Sequence, residues 1–255
     1  MSATLKNPEV EVKTPKTETP ETEARDLKIA VVNYCGHIGK TTVVKNLLEP
    51  NLVGTNVISV ETLNDDGGGS LLRIEGSDFG LLQEELIMND NLIVDIGASN
   101  IGETMRLMEQ YHGSHEDFDY FIIPNVPDQK SQIDSCATIT ALIDLGVEAE
   151  RIRLVFNKIE KIDNIQEDFE KIIEFAEMSD IAVPSVGIDL SEIYPELRKR
   201  KMTIDQLIAI PGLREKARAS KDPVEKRQLS KLMATQRLAI KARKNLLSVF
   251  EDLDL

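Results

Sequence analysis

The chain has 255 residues, 41% of them hydrophobic, with no Trp, 4% aromatics and a net charge of −14. That length fits one large or two small domains, and an aliphatic composition this poor in aromatics suits a sheet covered by helices. No apolar run approaches the roughly 20 residues of a membrane span, the polar, acidic start is expected to carry no secretory signal, and two cysteines, Cys35 and Cys136, are too few for a disulfide framework or a metal cage. The expected location is the cytoplasm, with both thiols reduced.

Residues 1–26 are rich in Thr, Pro, Glu and Lys. Such a segment cannot bury enough apolar surface to offset its ordering entropy, so it is expected to be a disordered acidic tail. Residues 27–255 are expected to form one domain. Its first strand, Lys28–Asn33, leads into Gly36-His37-Ile38-Gly39-Lys40-Thr41-Thr42 and a helix over Thr41–Leu48. A strand, a glycine turn and Lys-Thr at a helix start make the layout of a phosphate-binding loop. Glycines let backbone N–H groups turn inward around anionic oxygens, and the helix N-terminus adds its positive dipole end. In that layout Lys40 reaches the β- and γ-phosphates, Thr41 ligates Mg²⁺ and Thr42 meets the α-phosphate. Tyr34 stands where the general motif has glycine.

A second strand, Val57–Glu61, precedes an acidic stretch that runs into three glycines, Gly67 to Gly69. This is where a nucleotide switch would lie, with Glu61 the candidate to orient an attacking water. After a helix over Gly80–Met88, Leu92–Ile96 is an apolar strand bearing Asp95, the form of a Walker-B acid that holds Mg²⁺ opposite Thr41. Gly97 follows, small enough for its N–H to approach a γ-phosphate.

Next come a helix over Glu103–Tyr111, a strand over Tyr120–Pro124, a helix over Gln129–Leu145 and a strand over Ile152–Phe156. The last runs into Asn157-Lys158-Ile159-Glu160. Asn157 offers an amide to a purine edge. The pattern approaches the Asn-Lys-x-Asp of GTPases, but the longer Glu160 favours adenine, with guanine as the alternative. A helix over Ile165–Met178, a strand over Ile181–Val186 and a helix over Leu190–Arg200 complete the alternation. Buried strand runs alternating with helices predict an α/β fold, a doubly wound, mostly parallel sheet with ligands at the strand carboxyl ends.

From Ile204 onward the pattern is helical, with Leu229, Leu232, Met233, Gln236, Ile240, Leu247 and Phe250 mostly on one face. Between Arg214 and Phe250 stand 11 Lys/Arg against 3 Asp/Glu. The segment, about 204–250, is therefore either a helical cover with solvated charges or a non-specific DNA contact through Lys241, Arg243 and Lys244. A membrane role would need anionic lipid and a free apolar face.

Taken together, Gly-x-x-Gly-Lys-Thr-Thr, Val-Asp-Ile-Gly, Phe-Ile-Ile-Pro and Val-Phe-Asn-Lys resemble the ParA/MinD group of deviant Walker ATPases. More closely, the blocks Asn33–Thr42, Asp95–Asn100 and Gly113–Asp119 are similar to the StbB plasmid-stability proteins. The likeness runs from about Leu27 through the final helix. It implies an ATP- and Mg²⁺-binding switch in plasmid stability or partition, with a role in conjugative transfer, a nucleotide-dependent homodimer and a plasmid-encoded DNA-binding partner. It assigns Gly36, Gly39, Lys40, Thr41 and Thr42 to the phosphate loop, Asp95 to the Walker-B position and Asn157 to adenine. The group's intermolecular lysine is replaced by Cys35, and its Asp-x-Asp after the second strand is absent, with Glu61 the substitute. The expected activity is weak ATP hydrolysis. The alternatives are a module that binds ATP with little turnover, a GTPase, and a metabolic enzyme of the dethiobiotin-synthetase type.

Overall fold

The computed structural model describes residues 27–61 and 72–255. The predicted tail over 1–26, and the switch stretch beyond Glu61 up to residue 71, lie outside the described residues. Among the described residues seven strands form one sheet in the order β3-β2-β4-β1-β5-β6-β7. They are β1 Leu27–Val31, β2 Asn56–Val60, β3 Leu72–Ile74, β4 Asn91–Ile96, β5 Tyr120–Asn125, β6 Ile152–Ile159 and β7 Gly187–Asp189. Every pairing is parallel. The expected doubly wound α/β sheet is what the chain builds.

Period-two alternation divides the core between the two sheet faces. Ala30, Ile58, Val94, Ile123 and Phe156 face one layer, which contains α2 (Phe79–Met88), α3 (Ile101–Gln110), α4 (Gln129–Asp144) and α6 (Glu170–Met178). Ile29, Val31, Ile93, Ile122 and Val155 face the other. That second layer is formed by α1 (Lys40–Thr42, continuing as a π-helical segment Val43–Leu48), α7 (Ile193–Arg200), α8 (Ile204–Ile208) and α10 (Pro223–Asp252). A short α5 (Ile165–Asp168) precedes α6, and α9 (Leu213–Ala219) packs along α10.

Several predicted elements shift. The strand expected over Ile181–Val186 is irregular chain, and pairing with β6 begins only at Gly187. Pro184 lacks the N–H that a ladder needs, whereas Gly187 permits an approach to the Phe156 carbonyl that a Cβ would block. The three-residue β3 was not foreseen. The helix over Ile165–Met178 is broken at Phe169, which leaves helical geometry at φ −119 and ψ 20. The helix expected from Leu190 starts at Ile193.

Candidate functional site

The chain leaves β1 at the sheet's carboxyl edge and turns back into α1. Two residues make the turn. His37 takes a left-handed backbone, φ 56, and Gly39 does so at φ 91. At Gly39 a side chain is barred twice, by that φ and by the Asn157 amide, which a Cβ would strike.

Lys40 is buried, and its Nζ donates to the carbonyls of Asn33 at 3.1 Å and Cys35 at 3.0 Å. Burial lowers its pKa, while Asp95 and Cys35 pull it back up. Asp95 lies one step beyond Val94 on β4, so its side chain falls on the α1 face of the sheet. There the Thr41 hydroxyl donates to Asp95 Oδ2 at 3.2 Å. Burial pushes the Asp95 carboxyl up to about 6, against the pull of Lys40 and the Thr41 hydrogen bond, and Glu61 adds to the rise. Glu61 stands at the end of β2, beside Gly97, whose N–H donates to the Val60 carbonyl at 2.9 Å. Lys40, Thr41, Asp95 and Glu61 therefore converge on one spot.

A polar frame that the sequence reading missed fixes the loop's entry. Asn33 is fully buried, and its amide donates to the Pro124 carbonyl at 3.0 Å and to Ser135 Oγ at 2.6 Å. Its Oδ1 accepts from the Cys35 N–H at 2.8 Å. The Tyr34 N–H donates to Thr138 Oγ1 at 3.1 Å, and Cys35 Sγ lies 3.3 Å from Ser131 Oγ. The available signal was Ser131, Ser135 and Thr138, at i, i+4 and i+7 on α4, a small polar stripe inside a buried helix face.

Asn157 meets the loop rather than standing clear of it. Its Nδ2 donates to the Ile38 carbonyl at 2.7 Å, and its Oδ1 accepts from the Lys158 N–H at 2.8 Å. The adenine-reading amide of the sequence analysis is thus engaged as a strut under the loop. Lys158 adds a second strut from Nζ to the His37 carbonyl at 2.8 Å. A cleft of about 680 Å³ opens from Gly36, His37, Ile38, Gly39, Lys40, Thr41 and Thr42, past Asn157 and Lys158, to Asp189 and α7.

The basic helix α10 keeps part of the predicted face, with Leu232 and Phe250 packed against the core and Gln236 Nε2 donating to the carbonyls of Leu207, Ile208 and Ile210, but its buried centre is turned to one side. Thr235, Ala239, Ala242, Leu246 and Val249 are buried, whereas Ile240 and Leu247 are 42% and 45% exposed. Small residues let α10 lie close to its neighbours. Arg243 points into the body, bonding Asn51 Oδ1 at 2.9 Å and pairing with Asp205 at 3.5 Å. Lys241 pairs with Asp189 at 3.1 Å. Of the three residues expected to touch DNA, Lys244 is exposed and, among the described residues, no ion pair involves it. Among the described residues no helix is long and apolar enough to cross a membrane.

No protein-family model matches the chain, and no curated protein matches it in sequence. Solved structures do follow a similar path. An ATP complex of Cyanothece McdA aligns at 12% identity over 84% of this chain and 97% of that one, with TM-score 0.46. The MinC:MinD cell division complex of Aquifex aeolicus aligns at 14% identity over 87% and 96%, with TM-score 0.49. A structure described as a plasmid partition protein of Borrelia burgdorferi, bound to AMPPNP, aligns at 12% identity over 82% and 97%, with TM-score 0.46. Resemblance at this level is of chain path, and it carries no functional weight.

Proposed function

We propose that the chain binds Mg·ATP at the loop between β1 and α1 and works as a nucleotide switch in plasmid stability. The observation that carries the reading is the Thr41–Asp95 hydrogen bond at 3.2 Å, with the buried Lys40 ammonium held alongside by two loop carbonyls. A hydroxyl and a carboxylate facing each other at the root of a glycine turn suit Mg²⁺, which would supply charge neutralisation to a bound phosphate. Lys40 already lies among acceptors that an anionic phosphate would replace. The side chains of Thr41 and Asp95 would hold the metal, the loop N–H groups from Gly36 to Thr42 would hold the phosphates, and Glu61 would orient water. Adenine is the favoured base and guanine the alternative.

The plasmid role rests on the StbB-like blocks, Asn33–Thr42, Asp95–Asn100 and Gly113–Asp119. With them come a nucleotide-dependent homodimer, a plasmid-encoded DNA-binding partner, a cytoplasmic location and a role in conjugation. Non-specific DNA contact would use Lys244 and the other exposed cations of α10.

A second reading has its own support. Cys35 occupies the position of the group's intermolecular lysine, and its Sγ turns to Ser131 Oγ and the Gly36 carbonyl. A thiol held there supplies no charge to a second subunit, which favours a module that binds ATP and hydrolyses little of it.

One experiment separates the readings. Phosphate release from Mg·ATP is measured with and without plasmid DNA, with Lys40→Ala as the blank, alongside direct ATP and GTP binding. Turnover above the blank that rises with DNA supports the switch. Binding without turnover supports the module. Unchanged binding by Lys40→Ala would remove the nucleotide reading altogether.

A further inference from the structure

The two sides of the sheet carry opposite charge. On one side, α5 and α6 lie within residues 160–180, which hold eight Asp/Glu against two Lys. Helix α6 turns Ile172, Ile173 and Ala176 into the core and leaves Glu170, Glu174 and Glu177 exposed at i, i+4 and i+7. Met178 extends this stripe, one turn on from Glu174 and 85% exposed.

On the other side, residues 213–231 form α9 and the start of α10 and hold seven Lys/Arg against three Asp/Glu. All seven cations are exposed. The first buried residue of α10 is Thr235, and the turns before it bury no side chain. Val224, Arg227 and Lys231 stand there at i, i+3 and i+7, with Val224 64% exposed. Among the described residues no ion pair involves a charge of either patch.

We propose that the α9–α10 patch of one copy docks on the α6 stripe of a second copy of this chain. Run antiparallel, the two helices set Val224 against Met178, Arg227 against Glu174 and Lys231 against Glu170. At about 0.1 M salt charges interact over roughly 10 Å, so this local match outweighs the repulsion between two acidic chains. A second copy accounts for both patches, whereas nucleic acid would engage the cations and leave the acidic stripe without a role. The exposed Val224 and Met178 point the same way, because a protein interface buries such a pair and a phosphate backbone does not. Docking joins unlike faces, so every added copy leaves one patch of each kind free, and assembly is open-ended rather than a closed pair. Neither patch lines the cleft at the phosphate loop, and the inference stands apart from the nucleotide reading.

The test is sedimentation of the full chain, free of nucleotide and treated with nuclease. At about 0.1 M salt the average mass of wild type is expected to rise with concentration beyond that of two chains, and to return to one chain at about 1 M, where screening shortens to roughly 3 Å. Glu170→Lys with Glu174→Lys, and separately Arg227→Glu with Lys231→Glu, are each expected to weaken association at least about ten-fold. These side chains are exposed, and thermal melts check that both variants fold. Mixed in equal amounts, the two variants are expected to associate again, although both keep a net negative charge. Wild type that stays a single chain at every concentration overturns the proposal without any variant. Association that neither pair of substitutions weakens overturns it too, as does a mixture that fails to recover. Loss of DNA binding by Arg227→Glu with Lys231→Glu, with no self-association in wild type, would give the cations to nucleic acid instead.

Discussion

The Lys158 ammonium donates to the carbonyl of His37 at 2.8 Å, and both residues hold left-handed backbones, with φ of 62 and 56. A non-glycine residue in that region costs on the order of 1 kcal/mol and persists only where its surroundings impose it. Here each strained residue braces the other across the loop. Lys158→Met is expected to weaken Mg·ATP binding about five-fold while moving the melting temperature little, because the bond lies at the exposed rim. Isothermal titration beside a thermal melt would show it. Unchanged affinity would mean that Asn157 alone holds the loop.

Asn157 should matter more to the fold. Its removal leaves the Ile38 carbonyl and the Lys158 N–H without partners and opens a gap beneath Gly39. Asn157→Ala is expected to cost about 2–3 kcal/mol in urea unfolding. A loss below about 0.5 kcal/mol would show that the strut is dispensable.

The two loop glycines should respond differently to one added methyl. A Cβ at Gly36 meets nothing within 4 Å, while one at Gly39 meets Asn157 at φ +91. Gly36→Ala is expected to leave stability within about 0.5 kcal/mol, whereas Gly39→Ala loses at least about 2 kcal/mol and Mg·ATP binding with it. Parallel denaturation curves would decide it.

Asp95 makes stability depend on pH in a defined direction. Its folded pKa of about 6 lies above the unfolded carboxylate value near ~3.9. The folded state therefore holds the extra proton between those values. The stability that Asp95 contributes is fully present below about pH 4 and is lost as pH rises through 6. Asp95→Asn cannot titrate and keeps an acceptor for Thr41. It should match wild type near pH 4 and exceed it by about 2 kcal/mol above pH 7. Unfolding of the nucleotide-free proteins across that range checks this, and a flat difference would refute the raised pKa.

On α10, Arg243 and Lys244 are adjacent in sequence and opposite in role. Arg243→Ala should cost about 1 kcal/mol, because it unties Asn51 and Asp205 from the helix. Lys244→Ala should leave stability unchanged and, where DNA is bound, reduce the salt dependence of binding by about one phosphate contact. A salt slope unaltered by Lys244→Ala would move the contact elsewhere.

Much of this architecture could be read from residue patterns, and the omissions have physical causes. β1, β4, β5 and β6 announce themselves as aliphatic runs because central parallel strands are buried on both faces. β7 lies at the sheet edge and has three residues, one of them glycine, so the apolar stretch before it drew the assignment instead. β3 is as short. The convergence of Lys40, Thr41 and Asp95 was legible because a phosphate-binding loop would call for those residue types at fixed places along a strand–loop–helix unit. Asn33 was not. It acquires its meaning from neighbours far away in sequence, and an asparagine carries no local mark of being buried. The helical period of α10 was correct and its phase only partly so, since Leu232, Gln236 and Phe250 touch the body while the buried centre falls on Thr235, Ala239, Ala242, Leu246 and Val249.

The loop's supports are spread widely along the chain. Asn33 bonds Ser135 across 102 positions, and Ile38 is held by Asn157 across 119. At ribosomal rates of roughly 5–20 residues per second, many seconds pass between synthesis of the glycine turn and the arrival of its last brace. In a nascent chain the turn thus stands unbraced until β6 has joined the sheet, and a truncated product ending before Asn157 would carry the whole Gly-x-x-Gly-Lys-Thr motif without the strut that holds its turn.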